Sequence, residues 1–438
     1  MKKKKLWRRA ASAVLGGLLC VSITAVGCAE KKGEGEGILS YGVHVLAAET
    51  DMAISVLRGN EAVFSAEVFA RSLNLSHVDY ITVHTLPDDT DGELLLGSTR
   101  VAAGQRIASS NLSYLTFAAA SEAVSRASFT FSANGSEAVM DCNVYLLDVE
   151  NYTPTLAAVP ELARRVFTYR DTAAYGTLTA YDPDGDEMVF EIVSYPQNGA
   201  LTLTDAHAGT YVYAPSAGYT GTDSFSYVAR DIYGNYSACA SVELRVDVAG
   251  TSVTYADMED SRSHTAARAL TEAGIMSGTQ VGNQHYFYPD RTVTRAEFLV
   301  MAMNVAGITD VPTCEATAFA DDASIPQSMK GYVAAAYTLG YISGTNVQGD
   351  LCFLPDEEIT RAQAAVMLES ILDVSDARVI SVFADHSEIP VWASDALYSL
   401  HAVGILRDTE GCISATQKLT RAETADMLFA VSEYCMLD

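Results

Sequence analysis

The 438-residue sequence predicts a multidomain chain, two all-β sandwich modules followed by a helical C-terminal third made of three repeats. Three observations carry this. The run Val293-Thr294-Arg295-Ala296-Glu297 returns as Ile359-Thr360-Arg361-Ala362-Gln363 and as Leu419-Thr420-Arg421-Ala422-Glu423. Residues 152–249 break into short alternating apolar stretches split by turn residues. Residues 38–150 carry the same landmarks at an offset of about 96 residues, as expected of a diverged copy.

Residues 1–28 read as an export signal: Lys2 to Lys5 with Arg8 and Arg9, an apolar stretch from Ala10 to Val26, then small residues. Ala25-Val26-Gly27-Cys28 also resembles a lipobox, which would anchor the chain through lipid on Cys28. The stretch 29–37, with its Lys-Lys-Gly-Glu-Gly-Glu-Gly run, reads as a flexible tether. The formal charge of −27 argues against nucleic acid or an anionic membrane surface as partner, so contact with a membrane is expected only through the signal or a lipid anchor.

The module at 152–249 shows its strands in Met188 to Val193, Ala200 to Leu203, Tyr211 to Tyr213, Ser224 to Tyr227 and Val242 to Val246. About seven strands in a hundred residues is the density of a β-sandwich. In the module at 38–150, Leu115-Thr116-Phe117 and Ser128 to Phe131 match Tyr211-Val212-Tyr213 and Ser224 to Tyr227, while Gly92 to Leu96 mirrors Gly199 to Leu203. Within Asp182-Pro183-Asp184-Gly185-Asp186, three carboxylates at alternate positions around a turn glycine suit a hard cation with oxygen ligands, calcium above all. Asp231 is a further contributor by type. The competing reading is a solvated acidic turn, favoured for backbone reasons alone. Six cysteines follow the signal without any Cys-x-x-Cys spacing, so neither a zinc nor a redox site is expected.

In the C-terminal third the repeats span 254–307, 318–372 and 382–435. Thr294, Thr360 and Thr420 each precede a Glu or Gln by three residues, the pattern of a capping box, and an apolar run of amphipathic spacing follows, Phe298, Leu299, Met301, Ala302 and Val305 in the first copy. Arg295, Arg361 and Arg421 then fall in the first helical turn, where the dipole opposes a cation. Free N–H groups, dipole and guanidinium together would receive an external carboxylate or phosphate. A purely structural pairing with a neighbouring acid is the other reading.

Each repeat also opens with an aromatic and an Asp (Tyr255 and Asp257, Phe319 and Asp321, Phe383 and Asp385) and has a helix ending at Gly274, Gly340 or Gly404. Together with Phe287-Tyr288-Pro289 and Phe353-Leu354-Pro355, these landmarks resemble a triplet of S-layer homology (SLH) domains. The resemblance implies an all-α, three-pronged unit gripping pyruvylated, anionic polysaccharide of a bacterial cell wall, with the three Arg, the three Thr, the three Asp and Trp392 at the ligand. Departures are visible: Arg262 and Ser328 stand where Trp392 stands in the third repeat, and Asp408 and Ala415 replace that repeat's second glycine and its proline. Asp257, Asp321 and Asp385 could equally be helix caps, and Trp392 core. The module at 152–249 resembles bacterial cadherin-like or Ig-like repeats.

No Gly-x-Ser-x-Gly elbow, His-Glu-x-x-His pair or phosphate-binding glycine loop is present, and the eight histidines are scattered. The expectation is a non-enzymatic protein of the cell surface and wall whose β-modules act as spacers or meet other surface proteins or host glycans. The alternatives are a surface-anchored carbohydrate-active enzyme and a lipoprotein bridging membrane and wall.

Overall fold

The computed structural model describes residues 52–437, apart from 74, 157–158, 260, 375–382 and 410. The expected signal, the Cys28 lipobox and the tether lie outside the described residues. In the first module β1 (Met52–Leu57), β2 (Ala62–Val63), β3 (Tyr80–Thr85), β4 (Gly92–Leu96), β5 (Thr99–Arg100), β6 (Arg106–Ala108), β7 (Leu115–Ala119), β8 (Arg126–Ala133) and β9 (Met140–Leu147) form two sheets, β1-β9-β8-β3-β6 and β2-β7-β4-β5. In the second, β10 (Arg165–Tyr169), β11 (Ala174–Thr177), β12 (Met188–Ser194), β13 (Gly199–Asp205), β14 (Thr210–Pro215), β15 (Gly221–Asp231) and β16 (Ala240–Asp247) form β10-β16-β15-β12 and β11-β14-β13.

The two strand orders coincide, including the unusual parallel first strand, β1 on β9 and β10 on β16. The segments paired by the sequence offset are β7 with β14 and β8 with β15, and the segment that mirrors β13 is β4, so the first module is the same sandwich. Each encloses its own core, around Phe69, Phe117 and Phe131 in one and Tyr211, Tyr213 and Phe225 in the other. Their alternating burial is what a strand with one wet face requires. The first module also carries a short helix, α1 (Ala66–Ser72), capped by Ser65 and burying Phe69.

The C-terminal third contains α2 (His264–Glu272), α3 (Arg295–Val305), α4 (Gln327–Thr338), α5 (Arg361–Leu372), α6 (Ser394–Ala402) and α7 (Arg421–Leu437). It is not all-α. Hairpins β17 (Thr279–Val281) with β18 (Gln284–Tyr286), and β19 (Thr345–Val347) with β20 (Asp350–Cys352), stand in the first two repeats. Gln348 and Gly349, both at positive φ, close the second hairpin as a type I′ turn demands. Among the described residues the third repeat has a single bridge there, Thr409 to Cys412.

At the centre the residues that precede the three capping threonines bond in a closed triangle. Val293 N–H donates to Leu419 O, Leu419 N–H to Ile359 O and Ile359 N–H to Val293 O, each at 3.0 Å. All three side chains are fully buried. From this hub α3, α5 and α7 enter one continuous core that joins the three repeats. The amphipathic expectation fails here: α3 buries residues on nearly every side, because it is enclosed by neighbouring repeats. The second module docks on the same unit: Leu162 enters its core, Phe167 and Phe429 lie 5.7 Å apart, and Tyr169 Oη donates to Glu272 Oε2 at 3.0 Å.

Candidate functional site

All three Thr-Arg-Ala helices start with the capping box the sequence predicts. Thr294, Thr360 and Thr420 accept the N–H of Glu297, Gln363 and Glu423, whose side chains accept the threonine N–H in return. The first two helical N–H groups, however, are not free for an anion. Each pair is taken by carbonyls of the next repeat's loop. Arg295 and Ala296 N–H donate to Glu357 and Pro355 O at 2.8 and 3.1 Å. Arg361 and Ala362 donate to Gln417 and Ala415 O at 2.9 and 2.8 Å, and Arg421 and Ala422 to Arg291 and Pro289 O at 2.8 and 3.0 Å. The positive helix end is thus met inside the chain, in a cycle running from repeat one to two to three and back.

The guanidiniums extend this interlock. Arg295 Nε donates to Phe353 O at 3.0 Å with its head 5.4 Å from the Phe353 ring. Arg421 Nε donates to Phe287 O at 2.7 Å, its Nη2 to Ser277 O at 2.7 Å, and its head lies 4.5 Å from the Phe287 ring. Both residues are 9% exposed. Burial pulls the proton affinity of each below the ordinary Arg value; Glu357 works against this at Arg295, whereas Arg291 adds to it at Arg421. Arg361 differs. Ile413 stands where the others face Phe, Arg361 Nε is buried without a partner among the described residues, and Nη2 donates to Glu423 Oε1 at 2.8 Å.

Asp257, Asp321 and Asp385 share one geometry that is not an open site; Asp321 and Asp385 stand at the N-cap positions of short helical turns, but their side chains make no cap hydrogen bond there. Each carboxylate accepts two consecutive backbone N–H groups of its own repeat's loop: Phe287 and Tyr288 at 2.8 and 2.7 Å, Phe353 and Leu354 at 2.8 and 2.7 Å, Ile413 and Ser414 at 3.0 and 2.7 Å. The second residue of each pair sits at positive φ, between 52° and 60°. Two successive N–H groups converging on one acid form an anion nest filled from within. Trp392 is 61% exposed, next to Val391 at 93%, and so is not core.

The structure adds two residues to which the sequence pattern gives no prominence, Tyr286 and Arg291, beside the landmark Tyr288. Tyr286 and Tyr288 stack at 6.0 Å and 23° beside the Arg421 junction, with Tyr288 45% exposed. Arg291, ion-paired with Glu297 at 2.7 Å, stands in the same loop. A position-by-position alignment of the repeats would have flagged it, since Glu357 and Gln417 occupy its place.

In the second module the acidic loop is rearranged relative to expectation. Asp182, Asp186 and Asp231 bring carboxylate oxygens within 4.8 Å of one another. Asp184 turns away and accepts Tyr152 N–H at 2.7 Å, because the intermodule segment passes on that side. Asp231, 1% exposed, accepts from Tyr233, Asn235 and Asn151. Asp182 Oδ2 and Asp186 Oδ2 are buried without hydrogen-bond partners among the described residues. Burial first, then Asp182, Asp231 and Asp184, raise the Asp186 carboxyl above the usual range.

Comparison with known proteins follows the same division. The family described as bacterial Ig domain matches residues 151–270, and the S-layer homology domain family matches 254–299 and 318–365. The third repeat rests on its equivalent geometry. The surface-layer 125 kDa protein of Lysinibacillus sphaericus is 27% identical over 150 residues, 33% of this chain and 12% of that protein. An amylopullulanase of Thermoanaerobacterium thermosulfurigenes is 24% identical over 189 residues, 41% of this chain and 10% of that one. The chain therefore spans about a tenth of the length of these relatives. Among solved structures, Drosophila N-cadherin EC1-3 is 13% identical, covering 47% of this chain and 65% of that one with a TM-score of 0.22.

Proposed function

We propose that this chain, which carries a bacterial Ig domain and S-layer homology repeats, is a cell-surface protein. Its C-terminal third holds it non-covalently to anionic, pyruvylated polysaccharide of the cell wall, and its two sandwiches serve as spacer or adhesive modules. The observation that carries the reading is the threefold recurrence of one junction, an arginine at a helix entrance facing the next repeat's loop, buried at Arg295 and Arg421 and half-buried at Arg361. Linked weak sites of this kind raise the effective concentration for each further contact. The reading assigns no catalysis, and the Ig modules need no active site to act as spacers. The test is sedimentation of the full chain with isolated walls, intact or chemically stripped of their anionic polysaccharide. Retention on intact walls and loss on stripped walls is expected; equal retention on both would overturn the reading.

A second reading concerns the acidic loop, and the two unpartnered, buried oxygens of Asp182 and Asp186 favour it. Unpaired buried carboxylate oxygens are costly, and a hard cation satisfies them. Asp182, Asp186 and Asp231 would hold calcium beside the joint between the sandwiches, where Asn151 and Tyr152 leave the first module. Calcium would then stiffen that joint. Saturating calcium at about a hundredfold over Kd should stabilise the module by about 2.7 kcal/mol. Calorimetry with calcium chloride, on the wild type and on Asp186→Asn, decides the matter, and no heat of binding in the wild type would sink it.

A further inference from the structure

The first repeat departs from the other two on the face that meets the second sandwich. Arg268 and Glu272, one turn apart on α2, stand where α4 has Ala334 and Thr338 and α6 has Tyr398 and Ala402. Arg262 stands where the second repeat has Ser328 and the third Trp392. On α7, which packs beside α2, Phe429 takes the place that is Glu369 on α5. Each of these departures touches the sandwich or the chain that leads from it. Arg262 Nη2 donates to Thr177 Oγ1 at 3.3 Å, and the Phe429 ring lies 5.7 Å from that of Phe167.

Arg268 and Glu272 each make two contacts there. The Arg268 guanidinium lies 4.9 Å from the centre of the Tyr169 ring, and its Nη2 donates to Thr251 O at 2.9 Å. Glu272 Oε2 accepts from Tyr169 Oη at 3.0 Å, and Oε1 accepts Thr251 N–H at 3.2 Å. One helical turn thus holds a strand of the sandwich, β10, and both backbone groups of a residue in the linker that follows β16. A linker free to swing would leave those groups to water. Ahead of β10 there is a second fastening. Leu162 is buried in the helical core, and a methyl added at Gly404, just past the end of α6, would meet the Pro160 and Leu162 side chains at 3.2 and 3.3 Å. The fastenings therefore reach α2, α6 and α7, from both the first and the third repeat.

Domains joined by a modest polar contact move independently, and an apolar plug combined with a clamped linker removes that freedom. We infer that the second sandwich is a structural part of the C-terminal unit: residues 159–437 open and move as one cooperative body, with α2 of the first repeat specialised to hold the sandwich in a fixed direction. A pull on the outer module then passes through α2 and α7 into the hub instead of bending the chain at residues 248–253. This holds whatever the unit binds.

The experiment is amide hydrogen exchange of the full chain, read peptide by peptide by mass spectrometry, in the wild type, Leu162→Ala and Phe429→Ala. Amides that exchange through a shared opening speed up together when either side of the joint is weakened, and such coupling is reciprocal. Leu162→Ala, on the sandwich side, should raise exchange about tenfold or more in α6 and α7 as well as in β10, the scale expected for truncating a buried leucine. Phe429→Ala, on the repeat side, should raise it in β10 and β16 as well as in α7. Should Leu162→Ala not fold, Tyr169→Phe, which removes only the hydroxyl held by Glu272, repeats the first comparison at smaller amplitude. Faster exchange confined to the substituted side in either direction would overturn the inference and leave two independent bodies on a linker.

Discussion

Replacing Asp321 by Ala tests whether the repeated acid is a staple or a ligand group. Its two oxygens accept Phe353 and Leu354 N–H at 2.8 and 2.7 Å. Hydrogen bonds to a charged partner contribute about 1.5–3 kcal/mol each, and removing the acceptor leaves the donors unpaired. Leu354 is half-buried, so water recovers part of the loss there. The expected cost is then about 2–4 kcal/mol, at the low end of the sum. The carboxylate also holds Leu354 at a φ of 60°, a conformation that disfavours a side chain by about 1–2 kcal/mol. Losing the staple therefore lets the loop relax and withdraws the carbonyls of Pro355 and Glu357 from the start of α3. Urea unfolding followed by tyrosine fluorescence reads the change as a shifted midpoint at similar slope. A loss below about 0.5 kcal/mol, within the range of ordinary surface changes, would refute the staple. So would a variant of normal stability that no longer binds walls.

Three further outcomes follow from single contacts. Asp322 pairs with Lys330 Nζ at 2.5 Å, and Lys330 with Thr317 holds its carboxyl near a pKa of about 2, against an ordinary 3.8. A depressed acid contributes stability above its unfolded value, and that contribution is lost as pH falls through about 2. Acid unfolding of Asp322→Asn should therefore be flatter than wild type between pH 3.8 and 2; superimposable profiles would count against the pair. Gln348 sits exposed at a φ of 54° in the hairpin turn, so Gln348→Gly should raise stability by up to about 1 kcal/mol, read as a higher Tm; a lower Tm would contradict it. Gly234, at a φ of 90°, packs where an added methyl would meet the Ala53 carbonyl oxygen of the first module. Gly234→Ala should loosen the joint between sandwiches, visible as a larger radius in small-angle scattering, while an unchanged profile would show that the joint does not depend on this contact.

Much of the architecture is legible in the residues because its signals are local. Capping boxes lie within four residues, and Gly274, Gly340 and Gly404 end their helices at positive φ, where glycine carries no side-chain penalty. The sandwich offset works because β7 and β14, or β8 and β15, keep the same inward residues. What the residues hide is long-range. The helix entrances look open from within one repeat, since the carbonyls that fill them come from the next repeat, about sixty positions away or, for Arg421, from the far end of the unit. The hairpins at β17–β18 and β19–β20 have three-residue strands, too short for alternation to register. Asp184 looked like a ligand by spacing, yet Asp231, 49 positions from Asp182, takes its place because β15 ends beside the loop.

The same cycle bears on how the C-terminal third can work. Each helix entrance is completed by another repeat, and the Val293–Leu419–Ile359 triangle closes only with all three present. A single repeat would expose two unpaired N–H groups and half of a buried guanidinium site, so the repeats form one folding unit and not three beads. The arginines that the resemblance assigns to ligand are also the clamps of that unit, with Nε spent on a neighbouring carbonyl in two of three cases. Arg→Ala at positions 295 or 421 thus confounds binding with folding. Arg361, whose Nε has no such partner, is the position where the same change reports on ligand with least structural cost.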